Sequence, residues 1–253
     1  MKILVINPGA TSTKIAVFDG ENEIFRSSVE HAAQDLAHFE HVADQMPYRK
    51  ALILKALDEG GVSLSSLDAI CGRGGLLRHI PSGTYLVTDR VIEDILHPFY
   101  GEHAANLGAY IARELADPLG IPAFFVDPVC VDELTELARV SGLKGIERES
   151  FFHALNQKSV ARKTAKALGK AYEDVNLIVL HLGGGVSVAA HEKGRVVDNY
   201  NVKDDGSMGL DRPGAAGQRR RESLLLRQDE EGDQEAHRLR GRCLFLPRNE
   251  GFP

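Results

Sequence analysis

Three observations predict an α/β fold. Short apolar runs that read as strands alternate with stretches of helical spacing. Glycine clusters follow several of those runs, at the carboxyl ends where open α/β sheets place ligands. Two of the clusters interrupt strand patterns in the same way, at Val5 to Phe18 and at Leu177 to Ala190. Each joins two strands by a glycine turn whose backbone N–H groups can meet a phosphate.

The elements follow in order. Lys2 to Ile6 is a buried strand that delivers Asn7, Pro8, Gly9, Thr11, Ser12, Thr13 and Lys14 to its carboxyl end. Glycine permits close approach, hydroxyls donate, and lysine adds charge, a combination suited to a polyanion. Ile15 to Asp19 reads as the return strand, so the turn closes a hairpin. A Walker-type loop would instead open a helix after GxxxxGK[ST]. Asp35 to Glu59 carries helical spacing and ends at Gly60-Gly61. Leu67 to Cys71 is a strand running into Gly72-Arg73-Gly74-Gly75. Asp89 to Leu119 is a long helical pattern broken near Pro98 and Gly101. Pro122 to Asp127 is a short strand ending in an acid. Glu149 to Leu168 reads as a helix with Ser150 and Phe151 near its start. Leu177 to Leu182 is a strand followed by Gly183-Gly184-Gly185. Val186 to Ala190 and Arg195 to Tyr200 are strands around a turn at Glu192-Lys193-Gly194.

Composition excludes several classes. The chain has 253 residues, 43% hydrophobic and 26% charged, enough for one large or two modest domains. A net charge of −6 argues against broad affinity for nucleic acid or anionic membrane. Cys71, Cys130 and Cys243 are far apart, an odd number without metal-ligand spacing, which favours a reducing cytoplasm over a disulfide framework. No run reaches the roughly 18 to 20 apolar residues of a membrane span, and the N-terminus starts directly on a strand without a signal peptide pattern.

The runs NPGATSTK, CGRGG, HAANLG, FVDP, FHALNQK and HLGGGVSVAAHEKGRVVDNYN stand in this order between residue 1 and about Gly217. Together they resemble the butyrate kinase family, in the acetate kinase branch of the actin-like ATPase superfamily. The resemblance implies an actin-like ATPase (ribonuclease H-like) fold of two domains with the site in the cleft between them. It implies transfer of the γ-phosphoryl of ATP, with Mg²⁺, to a short-chain fatty carboxylate, giving an acyl phosphate reversibly. It puts Asn7, Thr11, Ser12 and Lys14 in a first phosphate hairpin and Gly183, Gly184 and Gly185 in a second. Arg73 would lie near the substrate carboxylate, with His103 and Asn106 at the substrate pocket. Asp127, with Asn7, would organise Mg²⁺. His153 and Arg212 would face the transferred phosphoryl. His79, His97 and His181 are read as structural. The partners implied are ATP or ADP and a butyrate-like acid, in the cytoplasm, with a homo-oligomer for a full-length chain and neither nucleic acid nor membrane.

Residue types suit that chemistry. A carboxylate is ionised near neutral pH, so the site needs positioning and positive charge more than a strong base. That argues against a sugar kinase, which needs an acid acting as base towards a hydroxyl. The domains expected are 1–150 for acyl substrate and phosphate, 151–217 for part of the nucleotide side, and 218–253 as an atypical tail. The tail holds eight arginines and no Ile, Val, Lys, Thr, Tyr or Met. With permitted codons, its GRCLFLPRNEGF shifted one nucleotide onward can encode EGVYSYLGTKDF, which looks like the family's continuation. A shifted reading frame is therefore one expectation, and the coding DNA tests it. The family is longer by roughly a hundred residues, so the second domain is expected to be incomplete and the strands from Leu177 to Tyr200 poorly covered. A catalytically dead remnant with weak ligand binding is the alternative expectation.

Overall fold

The computed structural model describes residues 1–203. Sixteen helices and strands follow one another: β1 (Lys2–Pro8), β2 (Ser12–Asp19), β3 (Asn22–Glu30), α1 (Ala33–Leu36), α2 (Met46–Glu59), β4 (Ala69–Arg73), β5 (Thr84–Leu86), α3 (Asp89–Leu96), α4 (Asn106–Ala116), β6 (Ala123–Val126), β7 (Val140–Leu143), β8 (Ile146–Glu147), α5 (Ala154–Ala167), β9 (Asn176–Leu182), β10 (Val186–Glu192) and β11 (Arg195–Asn199). The first six strands form one sheet in the order β3-β2-β1-β4-β6-β5, and the last three form a second in the order β11-β10-β9.

Several boundaries differ from the sequence reading. The helical stretch expected from Asp35 is broken, and its continuous part begins at Met46 with Pro47 in the first turn. Proline fits there because a first-turn N–H needs no helical partner. The helix expected from Glu149 begins at Ala154. Ser150, Phe151 and Phe152 precede it as a buried connection, with the Ser150 hydroxyl donating to the Val131 carbonyl at 2.7 Å. The second strand starts at Ser12, earlier than Ile15.

Alternation along the strands sorts the first sheet into two faces. Leu4, Ile6, Ile15, Val17, Ile70 and Phe125 point to one side and join Ile53 and Leu57 of α2 and Leu107 and Ile111 of α4 in the core. Gly72 lies on this same face, paired with Ile6 and Phe125. A Cβ on Gly72 would overlap the Gly108 carbonyl, and one on Gly108 would overlap the Arg73 carbonyl. The two glycines therefore let α4 lie directly on β4. Gly75 is needed for the same reason, because a Cβ there would strike Asn106. Gly108→Ala is expected to lower stability by about 2–4 kcal/mol, since backbone and not a flexible side chain must move. Chemical denaturation measures this, and an unchanged midpoint would refute the close packing.

Among the described residues the second sheet packs α5 against one face only. Val179 clusters with Ala161, Ala165, Tyr172 and Val175. The other face leaves Ile178, Leu180, Leu182 and Tyr200 exposed, at 66%, 56%, 73% and 57%, as expected for strands short of a covering layer. Lys193 and Gly194 both have positive φ, 47° and 85°, which closes the tight β10–β11 turn.

Under α5 lies His191, 2% exposed, whose pKa is lowered from 6.5 to about 4, first by burial and then by the nearby Lys158 charge, with Glu133 opposing. Its folded-state pKa lies below the unfolded one, so the unfolded chain takes up the proton first. The contribution is complete above pH 6.5 and is lost as pH falls towards 4, on the order of 3 kcal/mol. Thermal melts should drop more steeply from pH 7 to pH 5 for the wild type than for His191→Asn. Parallel profiles would contradict the buried neutral imidazole.

Candidate active site at the ends of the parallel strands

Strand register builds the first half of the site. Asn7 of β1 pairs with Lys14 of β2. On its other side β1 runs parallel to β4 with Ile6 beside Gly72, which brings Asn7 beside Arg73. Lys14, Asn7 and Arg73 thus form a row across three strands, on the face away from α2 and α4. Arg73 Nη1 donates to Asn7 Oδ1 at 3.2 Å. The next strand, β6, places Val126 beside Arg73, so Asp127 follows at the same sheet end. The row borders an open groove of about 620 Å³ lined by Val5, Asn7, Lys14, Ala16, Phe18 and Ser28 among others.

The first hairpin is held from below by a residue that sequence reasoning passed over. Arg49 of α2 is 1% exposed. Its Nη1 donates to the Gly9 carbonyl at 2.9 Å and to Thr13 Oγ1 at 3.1 Å, and its Nη2 to the Ala10 carbonyl at 3.3 Å. Gln45 Oε1 accepts from Nε and Nη2 at 3.1 and 2.9 Å. The His31 N–H takes the Thr11 carbonyl at 2.8 Å, and the His31 ring meets Thr13 Oγ1 at 2.8 Å. Burial and the neighbouring Arg49 charge lower the His31 pKa. Three successive carbonyls are thus engaged by the protein. In a trans peptide the following N–H points the opposite way. The N–H groups of Ala10, Thr11 and Ser12 therefore face away from those contacts, as an anion cradle requires. Thr11 and Lys14 are exposed there and Ser12 is half-buried.

The second half of the site comes from β9, β10 and the start of α5. His181 and Ser187 are cross-strand neighbours on the face towards α5. His153 caps the start of α5, and its ring stacks on His181 with centroids 3.7 Å apart and planes 14° from parallel. His153 Nδ1 lies 2.7 Å from Ser187 Oγ, and His181 Nδ1 lies 2.9 Å from Asn156 Oδ1. The Gly183–Gly185 turn passes over these rings. A Cβ on Gly185 would sit 3.4 Å from His153 Nε2, and one on Gly183 would sit 3.3 Å from His181 Nε2. Burial, then the positive charge of Arg73, lowers the His181 pKa. Arg73 is thus among the charges near His181, and Asp127 at the same sheet end lies 3.7 Å from Arg162 of α5, so the two halves meet here. His181, read from the sequence as structural, stacks on His153 beside the second glycine turn. The sequence signal was its place one residue before Leu182 and the glycine triplet.

Other expected residues have plainer surroundings. Asn106 is buried, and its Oδ1 accepts the Leu76 N–H at 2.7 Å, so it fastens the loop after Arg73. His103 Nδ1 accepts the Ala105 N–H at 3.1 Å at the start of α4. Asp127 has a positive φ of 39° and is 3% exposed. Its Oδ1 accepts from Ser82 Oγ at 2.6 Å and from the Gly83 N–H at 2.9 Å, and Oδ2 lies 3.7 Å from Arg162 Nη1. Arg212 falls outside the described residues.

No cluster of three or more His, Cys, Asp or Glu suited to a metal occurs among the described residues. Mg²⁺ commonly takes one or two protein carboxylates and fills its shell with water and phosphate oxygens. Asp127 Oδ2 and Asn7 Oδ1 suit that mode, and they stand two strand spacings apart, roughly 10 Å between backbones. They fit an ion that is shared with a phosphate, and do not form a closed protein cage.

A profile of the acetokinase family matches residues 139–211. The match includes His153, His181, Ser187 and the second glycine turn. The fold is similar to the crystal structure of Porphyromonas gingivalis acetate kinase, with a TM-score of 0.62 and 21% identity, covering 93% of this chain and 65% of that one. A propionate kinase from Francisella tularensis subsp. tularensis SCHU S4 gives a TM-score of 0.57 at 18% identity, covering 82% of this chain and 61% of that one. Acetate kinase from Entamoeba histolytica gives 0.55 at 15% identity, covering 81% and 57%. The class is therefore an α/β fold of acetate kinase type, as the actin-like ATPase expectation required. The chain spans less than two thirds of the length of each of these enzymes.

Arg49→Met leaves the Gly9 and Ala10 carbonyls without their charged donor. A loss of about 3 kcal/mol is expected, with faster hydrogen exchange at residues 9–13. Unchanged exchange there would remove Arg49 from its supporting role.

Proposed function

We propose that this site transfers the γ-phosphoryl of ATP to a short-chain fatty carboxylate, butyrate or one of similar size, giving an acyl phosphate and ADP, in either direction. The observation that carries the reading is the row Lys14, Asn7 and Arg73 at one sheet end, with Arg73 among the charges near the His153–His181 stack that lies under the Gly183–Gly185 turn. Such a row supplies positive charge and N–H donors where a polyphosphate and a carboxylate must meet. The domains proposed are 1–150 and 151–217, followed by the 218–253 tail.

In this mechanism a carboxylate oxygen attacks the γ-phosphorus while the bond to the β-phosphate oxygen breaks and ADP leaves. No proton need be removed from the nucleophile, because the acid is already ionised. Arg73 grips the carboxylate and faces the charge that spreads over the transferring oxygens. Lys14, with Thr11, Ser12 and the outward N–H groups of the first hairpin, holds phosphate. The N–H groups of Gly183, Gly184 and Gly185 hold the phosphate chain from the other side. His153 and Arg212 contact the transferred group, and His103 and Asn106 shape the substrate side. Asp127 and Asn7 would hold Mg²⁺, which supplies charge neutralisation on the phosphates.

We also propose a cytoplasmic location, a homo-oligomer for a full-length chain, and no nucleic-acid or membrane partner. Among the described residues no helix is long and apolar enough to cross a membrane.

A second reading is a folded remnant that binds ligand weakly. The exposed Ile178, Leu180, Leu182 and Tyr200 favour it, because among the described residues nothing covers that face of the second sheet. Hydroxamate trapping of acyl phosphate, with ATP, Mg²⁺ and acids of graded length, separates the two. The enzyme reading expects product, greatest near four carbons. Absence of product, together with a retained fold and no heat of ATP binding, establishes the remnant. Arg73→Ala should lower acyl phosphate formation by about a hundredfold or more with an unchanged circular dichroism spectrum. Near-normal turnover would remove Arg73 from the reaction.

A further inference from the structure

A continuous chain of hydrogen bonds runs from the buried core of the second half to His153. Tyr172 OH lies 2.6 Å from His191 Nδ1, His191 Nε2 lies 3.1 Å from Gln157 Oε1, and Gln157 Nε2 lies 2.8 Å from Ser187 Oγ. Ser187 Oγ then lies 2.7 Å from His153 Nδ1. Tyr172, His191, Gln157 and Ser187 are all buried, at 4% exposure or less.

Each proton in this chain can be assigned. The Ser187 backbone carbonyl can only accept, and the Gln157 side chain reaches it at 3.3 Å. The nitrogen of the Gln157 amide must therefore face Ser187 and its oxygen must face His191. His191 Nε2 then carries its proton, and its Nδ1 accepts from the Tyr172 hydroxyl. Ser187 Oγ accepts from Gln157 Nε2 and from the His153 backbone N–H, the latter at 3.3 Å. Both lone pairs are then used, and the one hydroxyl proton is left for His153 Nδ1.

We propose that Ser187 and Gln157, backed by His191 and Tyr172, are positioning residues that hold His153 as the Nε2–H tautomer, a neutral donor aimed at the Gly183–Gly185 turn. A second proton on Nδ1 would confront a hydroxyl oxygen whose acceptor sites are already filled. Nε2 lies within van der Waals reach of the turn, 3.4 Å from where a Cβ on Gly185 would sit. The stacked His181 favours the same state, since two charged imidazoles at 3.7 Å would repel. Burial raises the Tyr172 pKa to about 12 and lowers that of His191 to about 4, so the buried end of the chain keeps one protonation state near neutral pH. Lys158, 1% exposed, anchors the wall of this channel by pairing with Glu133 at 2.7 Å.

The use of this donor on a transferring phosphoryl rests on the function proposed above. The tautomer does not. Two-bond ¹H–¹⁵N correlation spectra of the ¹⁵N-histidine-labelled 253-residue protein, with His153 assigned by His153→Gln, measure it directly. The expected spectrum shows a protonated Nε2 and a bare Nδ1. A protonated Nδ1, or an average of both tautomers in the wild type, overturns the proposal without any variant. Ser187→Ala should give averaged tautomers. A folded Ser187→Ala protein that keeps a fixed Nε2–H would overturn the role of Ser187. Where acyl phosphate forms, Ser187→Ala should lower kcat by about ten- to a hundredfold with KM for the acid nearly unchanged. A fixed tautomer in a protein that forms no acyl phosphate would leave this assignment standing and remove the phosphotransfer reading alone.

Discussion

The direct contact between β4 and α4 is the constraint on which the site depends. Gly72 and Gly108 bring the two backbones together, and Gly75 rests on Asn106 just beyond. Nothing larger fits at any of the three positions. The contact fixes the height of β4 in the sheet and the path of the chain on either side of Arg73. Parallel pairing then carries that alignment to β1, where Asn7 stands beside Arg73, and antiparallel pairing carries it on to Lys14. The positive row is thus placed by packing on the opposite face of the sheet, and the groups in it need little support from one another.

The same division of labour recurs around both glycine hairpins. In each, the groups offered to a ligand are backbone N–H or exposed side chains, and a buried polar side chain sets their direction. Arg49 draws the Gly9 and Ala10 carbonyls inward at the first hairpin. Ser187 and Gln157 do the corresponding work beneath the second. Buried polar groups are costly unless every donor and acceptor is used. Both networks meet that condition almost fully, and this is why they can orient a neighbour with precision. Among the described residues only His31 Nδ1, His79 Nε2 and Asn199 Oδ1 are buried side-chain atoms without a partner.

This division explains what could be read in advance. The strands β1, β4 and β9 announce themselves as apolar runs that lead into glycine turns, β10 as the apolar run after one, and β6 as an apolar run ending in an acid. Asn7, Lys14 and Arg73 were visible because each stands at the end of such a run. The edge strand β3 was missed because Asn22–Glu30 mixes charged and apolar residues and is mostly exposed. β5 has three residues, too few for a period to appear. Arg49 was invisible for a different reason. On its helix it is one charged residue among several, and only the return of β1 and β2 beneath it makes it buried. The glycines of the Arg73 turn were visible, but as loop chemistry, whereas Gly72 and Gly75 serve the packing of α4.

The uncovered face of the second sheet follows from strand alternation as well. Leu177, Val179 and His181 of β9 point to α5, which leaves Ile178, Leu180 and Leu182 pointing away from it. A sheet with helices on one side only keeps its second apolar face until another layer arrives. In the acetate and propionate kinase structures more than a third of the chain lies outside the part matched here, so there is material in them for such a layer. The histidine stack, Ser187 and the glycine turn all lie on the α5 side or at the strand ends, where residues of α5 hydrogen-bond to His181 and Ser187. The face that lacks cover is therefore separate from the face that carries the chemistry. Stability of the second half and geometry of the site can then fail independently.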